Sequence, residues 1–447
     1  KHAVIERGAL YMTWSRQQSP RLDEILNRSD SAHAIAGHSL AVTDNTVGER
    51  LKLALGRTAL EKSALYVHVP FCPSRCLSCD HLTIIEHDRK EIDHYLETLA
   101  RELSTLAANT PEGSLQKLVI GGGSPNYLAD DQLAQLMASI HDSFTLEHDA
   151  DVVMEINPRR TSRSQLDLLK GLGVNHLNLE VRDVDTRVQG ELGRTQSLGL
   201  LEDVLSVARD LEFQSVNMDL LFGLPGQTSA SVGESISVIN ELSPDLIHCQ
   251  QFTRRHHLFS HQAALDESLI PSLAEKLAIF NAMAVSFEGT GYEWIGLNAF
   301  VKPGHPLNKA KMNGELRYNA LGYDDGCVSN ILGAGIGAVS EIDGLTTQNA
   351  ADLIAWKQRV YQGKITASTT IEMTDFERAR RSVMRHLMCN LPVDIASTDN
   401  QSLSALLNSL EDQGYAEKDQ GFFRLTQIGR LALPHFWSDS SPTLRWL

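Results

Sequence analysis

Residues Tyr66–Asp80 read YVHVPFCPSRCLSCD; the first half of that stretch speaks to fold and the second half to chemistry. Ala64–Phe71 is a short apolar run of the kind expected of a buried parallel strand, and it opens directly into a loop. On that loop Cys72, Cys76 and Cys79 are spaced C-x3-C-x2-C, so three thiolates can turn inward together. Three sulfur ligands suit a four-iron cluster with one iron left open. A structural zinc site is the competing reading, because His81 stands two residues past Cys79 as a fourth ligand. The loop lacks the paired C-x2-C spacing of a zinc ribbon, which favours the cluster.

Working outward, apolar runs at Leu115–Ile120, Val152–Ile156, His176–Val181, Ser215–Leu224 and Leu246–Phe252 repeat the first strand's character. Amphipathic segments lie between them at Glu91–Leu106, Asp130–Phe144, Ser164–Gly171, Gly199–Leu211 and Ser231–Leu242. This alternation predicts a parallel α/β structure with right-handed crossovers, either an open doubly wound sheet or an incomplete barrel. Residues 1–60 carry two modest helical patterns, near Arg21–Asn27 and Arg50–Lys62, and read as a cap, from which Tyr11, Trp14 and Arg16 are packing residues or reach the site. Between Gly363 and Glu372 the composition turns polar and Thr-rich, as a hinge would. The expected division is therefore 1–60 as arm, 61–365 as barrel with its extension, and 366–447 as a mostly helical domain.

Three features fall at predicted strand ends. Gly121-Gly122-Gly123-Ser124-Pro125 follows a strand directly, and three glycines let backbone approach a ligand more closely than a plain turn requires. Glu155 is a carboxylate in an otherwise apolar run, so it should face a cation or a set of donors, a barrel arginine being the plain alternative. Arg194 and Asp219 supply a basic and an acidic group from adjacent units, either for a ligand or as a buried pair.

The chain has 447 residues and a formal net charge of −16, which argues against nucleic acid or an anionic membrane surface as main partner. No apolar run of about 18 residues and no cleavable leader is evident, so a cytoplasmic protein is expected. Six cysteines, three of them in one loop, do not form a disulfide framework; Cys249, Cys327 and Cys389 read as small core residues.

The C-x3-C-x2-C loop behind Y-x-H-x-P-F resembles the radical S-adenosylmethionine (SAM) superfamily. D-L-L-F-G-L-P-G-Q from Asp219, Y-E-W-I-G-L-N-A-F at Tyr292–Phe300, L-G-A-G-I-G-A-V-S at Leu332–Ser340 and R-H-L-M-C-N at Arg385–Asn390 resemble its oxygen-independent coproporphyrinogen III oxidase (dehydrogenase) branch. The resemblance implies a partial (β/α)6 barrel with an N-terminal cap and a C-terminal mostly helical domain. It implies a [4Fe-4S] cluster on Cys72, Cys76 and Cys79, and one SAM held by Tyr66, Gly122, Glu155 and Val339. It carries Gly123, Ser124, Arg194, Asp219 and Thr253 over to a second SAM, with Ser78 and Arg182 at two further cofactor positions. There this chain departs from the family, which has an aromatic residue and a glutamine; Asp80 and Glu180 depart as well. A cationic Arg182 beside a sulfonium is unfavourable unless Glu180 or Asp183 neutralises it.

The implied activity is oxidative decarboxylation of tetrapyrrole propionates to vinyl groups, with an electron donor such as flavodoxin or ferredoxin. Arg182, Arg254, Arg255, Arg317 and Lys302 are the candidate propionate partners, against a plain reading as solvated surface charges. The departures motivate a second expectation, a radical-SAM methyltransferase or cyclopropanating paralogue acting on another substrate. A haem-binding chaperone is the third, and the C-terminal domain counts against it.

Overall fold

The computed structural model describes residues 40–42, 46–394 and 401–436. Tyr11, Trp14, Arg16 and the pattern near Arg21–Asn27 lie outside them. The second N-terminal pattern is a helix at Val47–Leu55 followed by a single 3-10 turn at Leu60–Lys62.

Six parallel strands alternate with six helices. They are β1 (Ser63–Val69), α1 (Arg89–Ala107), β2 (Ser114–Gly122), α2 (Asp130–Ser143), β3 (Thr145–Ile156) and α3 (Arg163–Gly171). β4 (His176–Arg182), α4 (Leu198–Asp210), β5 (Ser215–Phe222), α5 (Ser229–Leu242), β6 (Leu246–Gln251) and α6 (Leu273–Gly289) complete the run. Five of the helices begin on side-chain caps, from Asp88, Ser162, Ser197, Thr228 and Ser272. Each such cap contributes about 1 kcal/mol. α6 carries no apolar stripe that a helical period would reveal. It buries Leu277, Ile279, Phe280, Met283 and Phe287, and its Ser272–Glu275 capping box marks where it starts.

Strand alternation divides the side chains. Leu65, Val67, Leu118, Ile120, Met154, Ile156, Leu177, Leu179, Val216 and Met218 face outward and pack in the main core with the helices. Their neighbours Tyr66, His68, Lys117, Asp151, Glu155, His176, Asn178, Ser215, Asn217 and Asp219 point the other way and line a cavity. The apolar shell stabilises the barrel, at about 25 cal/mol per Å² of apolar surface removed from water, and leaves the lumen free to be polar.

β1 to β6 sit in order within one 13-stranded sheet. β6 is followed by the antiparallel hairpin β7 (Glu293–Ile295) and β8 (Ala299–Val301), with β8 against β6. On the other side of β1 lie β9 (Asn330–Ala334), parallel to it, then β10 (Val339–Ile342), β11 (Leu345–Asn349) and β12 (Ala367–Glu372), each antiparallel to the last. The outermost strand is Leu40–Val42, paired with β12.

Two expectations change. The N-terminal arm does not only cap the barrel, because Leu40–Val42 closes the sheet's edge. The Thr-rich stretch before Glu372 is not a hinge: Thr369 and Thr370 pair with Gln348 and Thr347, so the main sheet runs past residue 366. Threonine suits a strand as well as a loop, and composition alone missed the pairing. Tyr292–Phe300 forms the β7–β8 hairpin, whose Trp294 stacks on Phe300. Beyond β12, helices Asp375–Met388, Gln401–Asp412 and Gln427–Phe436 pack around Met384, Leu387, Leu407, Leu410 and Phe423, with a three-stranded antiparallel sheet between them.

Candidate active site

The cysteine loop leaves β1 at Val69 and is pinned at several points. Phe71–Cys72 pairs in parallel with Ile84–Ile85, Leu77 N donates to Leu192 O at 3.0 Å, and Cys79 N donates to Cys76 O at 3.1 Å. From beyond β6, His261 Nε2 and Gln262 Nε2 donate to Cys79 O at 2.7 and 3.1 Å. His68 Nε2 donates to Leu82 O at 2.9 Å, leaving Nδ1 to accept from Tyr66 Oη at 3.0 Å. Burial holds His68 down at about 4, so the ring is neutral, as that pairing requires.

Cys72, Cys76 and Cys79 line one small cavity with Ser78, Ser124, Asn157, Arg159, Glu180, Arg182 and Arg194. His81, the fourth ligand a zinc site would need, borders the same cavity. Burial pushes the Cys72 thiol up to about 12 against the Ser124 hydroxyl 3.6 Å away, and it also raises Cys79. Buried thiolates of this kind need a multiply charged metal core to stay ionised, and the donor set fits a [4Fe-4S] cluster.

Tyr66, Gly122, Glu155 and Val339 border the larger cavity, of 720 Å³, and Gly122 and His81 border both. Glu155 finds no arginine: Gly122 N donates to Glu155 Oε2 at 3.0 Å, and burial, then the Glu180 charge, raises its carboxyl to about 7. A buried carboxylate with a single backbone donor fits a cationic amino group of a ligand such as SAM. The glycine run is demanded partly by the protein itself. At Gly122 φ is +113°, and an added Cβ would lie 2.5 Å from the His68 ring; at Gly121 it would lie 2.5 Å from the Glu155 carboxylate.

A buried ion cluster borders the small cavity. Arg182, at a bulge with φ +71°, donates from Nη2 to Glu180 Oε1 at 2.9 Å, and Arg194 Nη1 lies 3.7 Å from Glu180 Oε2. Burial opposes the Arg182 charge, but Glu180, then Asp219 and Asp80, hold it above its ordinary value. Glu180 is thus the neutralising partner, whereas Asp183 turns away to Gln227 and Ser235. Arg194 and Asp219 do not pair: Arg194 serves Glu180 and Cys76, and Asp219 lies 3.6 Å from His248. Thr253 is exposed and borders neither cavity. Cys249 and Cys389 are core residues as expected, but Cys327 is half-buried, with its sulfur 3.5 Å from Asp324.

Of the candidate propionate partners, only Lys302 borders the 720 Å³ cavity, and Asp245 takes its Nζ at 2.9 Å. Arg254 pairs with Glu267 at 3.1 Å, Arg255 lies 3.8 Å from Asp80, and Arg317 bonds back to Gly314 O and Leu316 O. The cavity lining holds Asp151, Glu155, Asp219, Asp245, Asp324 and Asp325 against Lys117 and Lys302. Asn157 and Arg159 carry no unusual signal in sequence, although N-P-R directly follows the strand that ends beside Glu155.

The family model of the radical SAM superfamily matches residues 66–239. The oxygen-independent coproporphyrinogen III oxidase of Salmonella typhimurium is 30% identical over 390 residues, covering 85% of each chain. The chain belongs to this family. The family's Synechocystis member is 31% identical over 348 residues, covering 78% of this chain and 75% of its own. The solved structure of Escherichia coli coproporphyrinogen III oxidase, a radical SAM enzyme, matches with a TM-score of 0.81 at 29% identity, over 87% of this chain and 92% of that one. The cofactors of the family are a [4Fe-4S] cluster and SAM, and the donor sets described above fit both. Among the described residues, no helix is long and apolar enough to cross a membrane.

Proposed function

We propose that this chain is an oxygen-independent coproporphyrinogen III oxidase, converting tetrapyrrole propionates to vinyl groups. The observation that carries this is a small cavity lined by the three cysteines that shares Gly122 and His81 with the 720 Å³ cavity, in a chain matching that family over most of its length. When bound, the cluster and SAM supply a carbon-centred radical able to abstract hydrogen. Cys72, Cys76 and Cys79 would hold the cluster, and Tyr66, Gly122, Glu155 and Val339 would hold SAM. Ser78, Gly123, Ser124, Arg182 and Arg194 border the cysteine side, where a second SAM would have to share space with the Glu180–Arg182 pair. In the net reaction one propionate side chain would give a hydrogen atom to that radical, release carbon dioxide and pass one electron to a one-electron acceptor, leaving a vinyl group. The barrel's part is to position the substrate and exclude water. A small one-electron donor such as flavodoxin or ferredoxin, in a reducing cytoplasm, would serve the cluster.

The acidic lining favours a second reading, the same radical chemistry on another substrate, such as methyl transfer or cyclopropanation. A coproporphyrinogen brings four carboxylates, and this cavity offers two lysines against six carboxyl groups. Anaerobic incubation of reduced, reconstituted protein with SAM and coproporphyrinogen III, read by mass spectrometry, separates the two. Vinyl product with 5′-deoxyadenosine supports the first reading; deoxyadenosine with unchanged tetrapyrrole refutes it and leaves the second.

A further inference from the structure

The three cysteine sulfurs are not equivalent. Cys72 has a hydroxyl neighbour, Ser124 at 3.6 Å, and Cys79 has another, Thr83 at 3.9 Å. Cys76 has two guanidinium neighbours: Arg194 Nη1 at 3.5 Å and Arg159 Nη2 at 3.9 Å. One side chain organises both cations. Asn157 Oδ1 accepts from Arg159 Nε and from Arg194 Nη2, each at 3.4 Å, and from Arg159 N at 3.2 Å. Asn157 is itself fixed, because its backbone N donates to Asn126 Oδ1 at 2.9 Å. The two arginines differ in their obligations. Arg194 is buried and also serves Glu180, whereas Arg159 is half-buried and, among the described residues, forms no ion pair with a carboxylate.

We propose that Arg159 is a redox-tuning residue, placed by Asn157 so that its guanidinium raises the reduction potential of the cluster through the Cys76 thiolate. Hydrogen bonds and positive charge at a ligating sulfur stabilise the form carrying one more electron, and the potential follows. The residue acts on the cluster through Cys76, so its role is electrostatic. The proposal rests on the three cysteines holding a cluster and does not depend on which substrate the barrel takes.

The test is an anaerobic redox titration of the reconstituted full-length protein, without SAM, followed by electron paramagnetic resonance. Arg159→Gln removes the charge and Arg159→Lys keeps it without the forked geometry. The expected result for Arg159→Gln is at least a tenfold fall in the equilibrium constant for reduction, about 59 mV for one electron. Arg159→Lys falls between it and the wild type, while iron content stays at the wild-type value. An unchanged midpoint in fully loaded Arg159→Gln overturns the proposal. If Arg159→Gln loses iron, Arg159→Lys alone decides: a lowered midpoint supports the proposal and an unchanged one overturns it. A wild-type protein that takes up no cluster would instead refute the underlying assignment of the cysteines, a different failure visible before any variant is compared.

Discussion

Gly123 offers a direct way to ask whether the glycine run supports the cysteine loop. A Cβ at this position would lie 2.6 Å from Pro70 C and 2.7 Å from both Pro70 O and Phe71 O, all backbone atoms immediately ahead of Cys72. Carbon–carbon contacts settle near 3.5 Å, so in Gly123→Ala the two segments must part by roughly 0.9 Å. Two hydrogen bonds span that gap, Gly123 N to Val69 O at 2.8 Å and Ser124 N to Phe71 O at 2.9 Å, and the separation stretches both. Overpacking costs about 1–3 kcal/mol and two weakened hydrogen bonds about 1 kcal/mol each, for a total of about 3–5 kcal/mol. That is a large part of a typical domain's stability, and it falls on the loop presenting Cys72. The variant is expected to retain its secondary structure by circular dichroism, to unfold at lower urea, and to take up less than half of the wild-type iron on anaerobic reconstitution. Full iron content with an unchanged unfolding midpoint would refute the reasoning.

Glu155→Gln should weaken SAM binding by about ten- to a hundredfold in anaerobic equilibrium dialysis, the loss of a charge-assisted hydrogen bond of roughly 1.5–3 kcal/mol. Because burial raises Glu155 to about 7, the carboxyl of the free protein is protonated below that pH, so wild-type affinity should tighten as pH rises through 7. A pH profile of equal slope in the variant would count against Glu155. Glu102 is a second buried carboxyl: Asn349 Nδ2 and Thr366 donate to Oε1, and Gly335 N and Trp356 Nε1 to Oε2. Glu102→Gln turns an NH2 group against two of these donors and should cost about 2–4 kcal/mol in urea unfolding, against none if the hub is dispensable. Burial raises Glu102 to about 7 as well. A folded-state value above the unfolded one stabilises at low pH and is lost as pH rises, so the protein without cofactors should lose stability from about pH 5 to 8, less steeply in the variant.

Much of the barrel was legible in the chain. Short β-branched runs bounded by amphipathic segments gave all six strands and five of the six helices, because in those units periodicity and packing agree. The elements that escaped lacked a local signal. α6 is apolar on several faces, Leu40–Val42 forms only by pairing with β12, β12 forms by pairing with β11 on its other side, and the short β7–β8 hairpin serves the core. At the site, the cysteines, Gly122 and Glu155 stand out because their residue types are costly or unusual in a buried strand or loop. The pairing of Arg182 with Glu180, and not Asp183, depends on which face each side chain takes after a bulge. Asn157 and Arg159 look in sequence like an ordinary cap and an ordinary surface charge; only the fold brings them to Cys76.

The pairing of Leu40–Val42 with Ala367–Glu372 has a temporal corollary. A growing polypeptide cannot make this contact until more than three hundred further residues have been synthesised, so the border of the sheet stays unsealed through most of translation. A chain cut after Asn349 would keep every barrel unit yet present β11 with an open row of backbone donors and acceptors. Self-association of such a fragment would follow from that exposed border and not from any defect in the barrel.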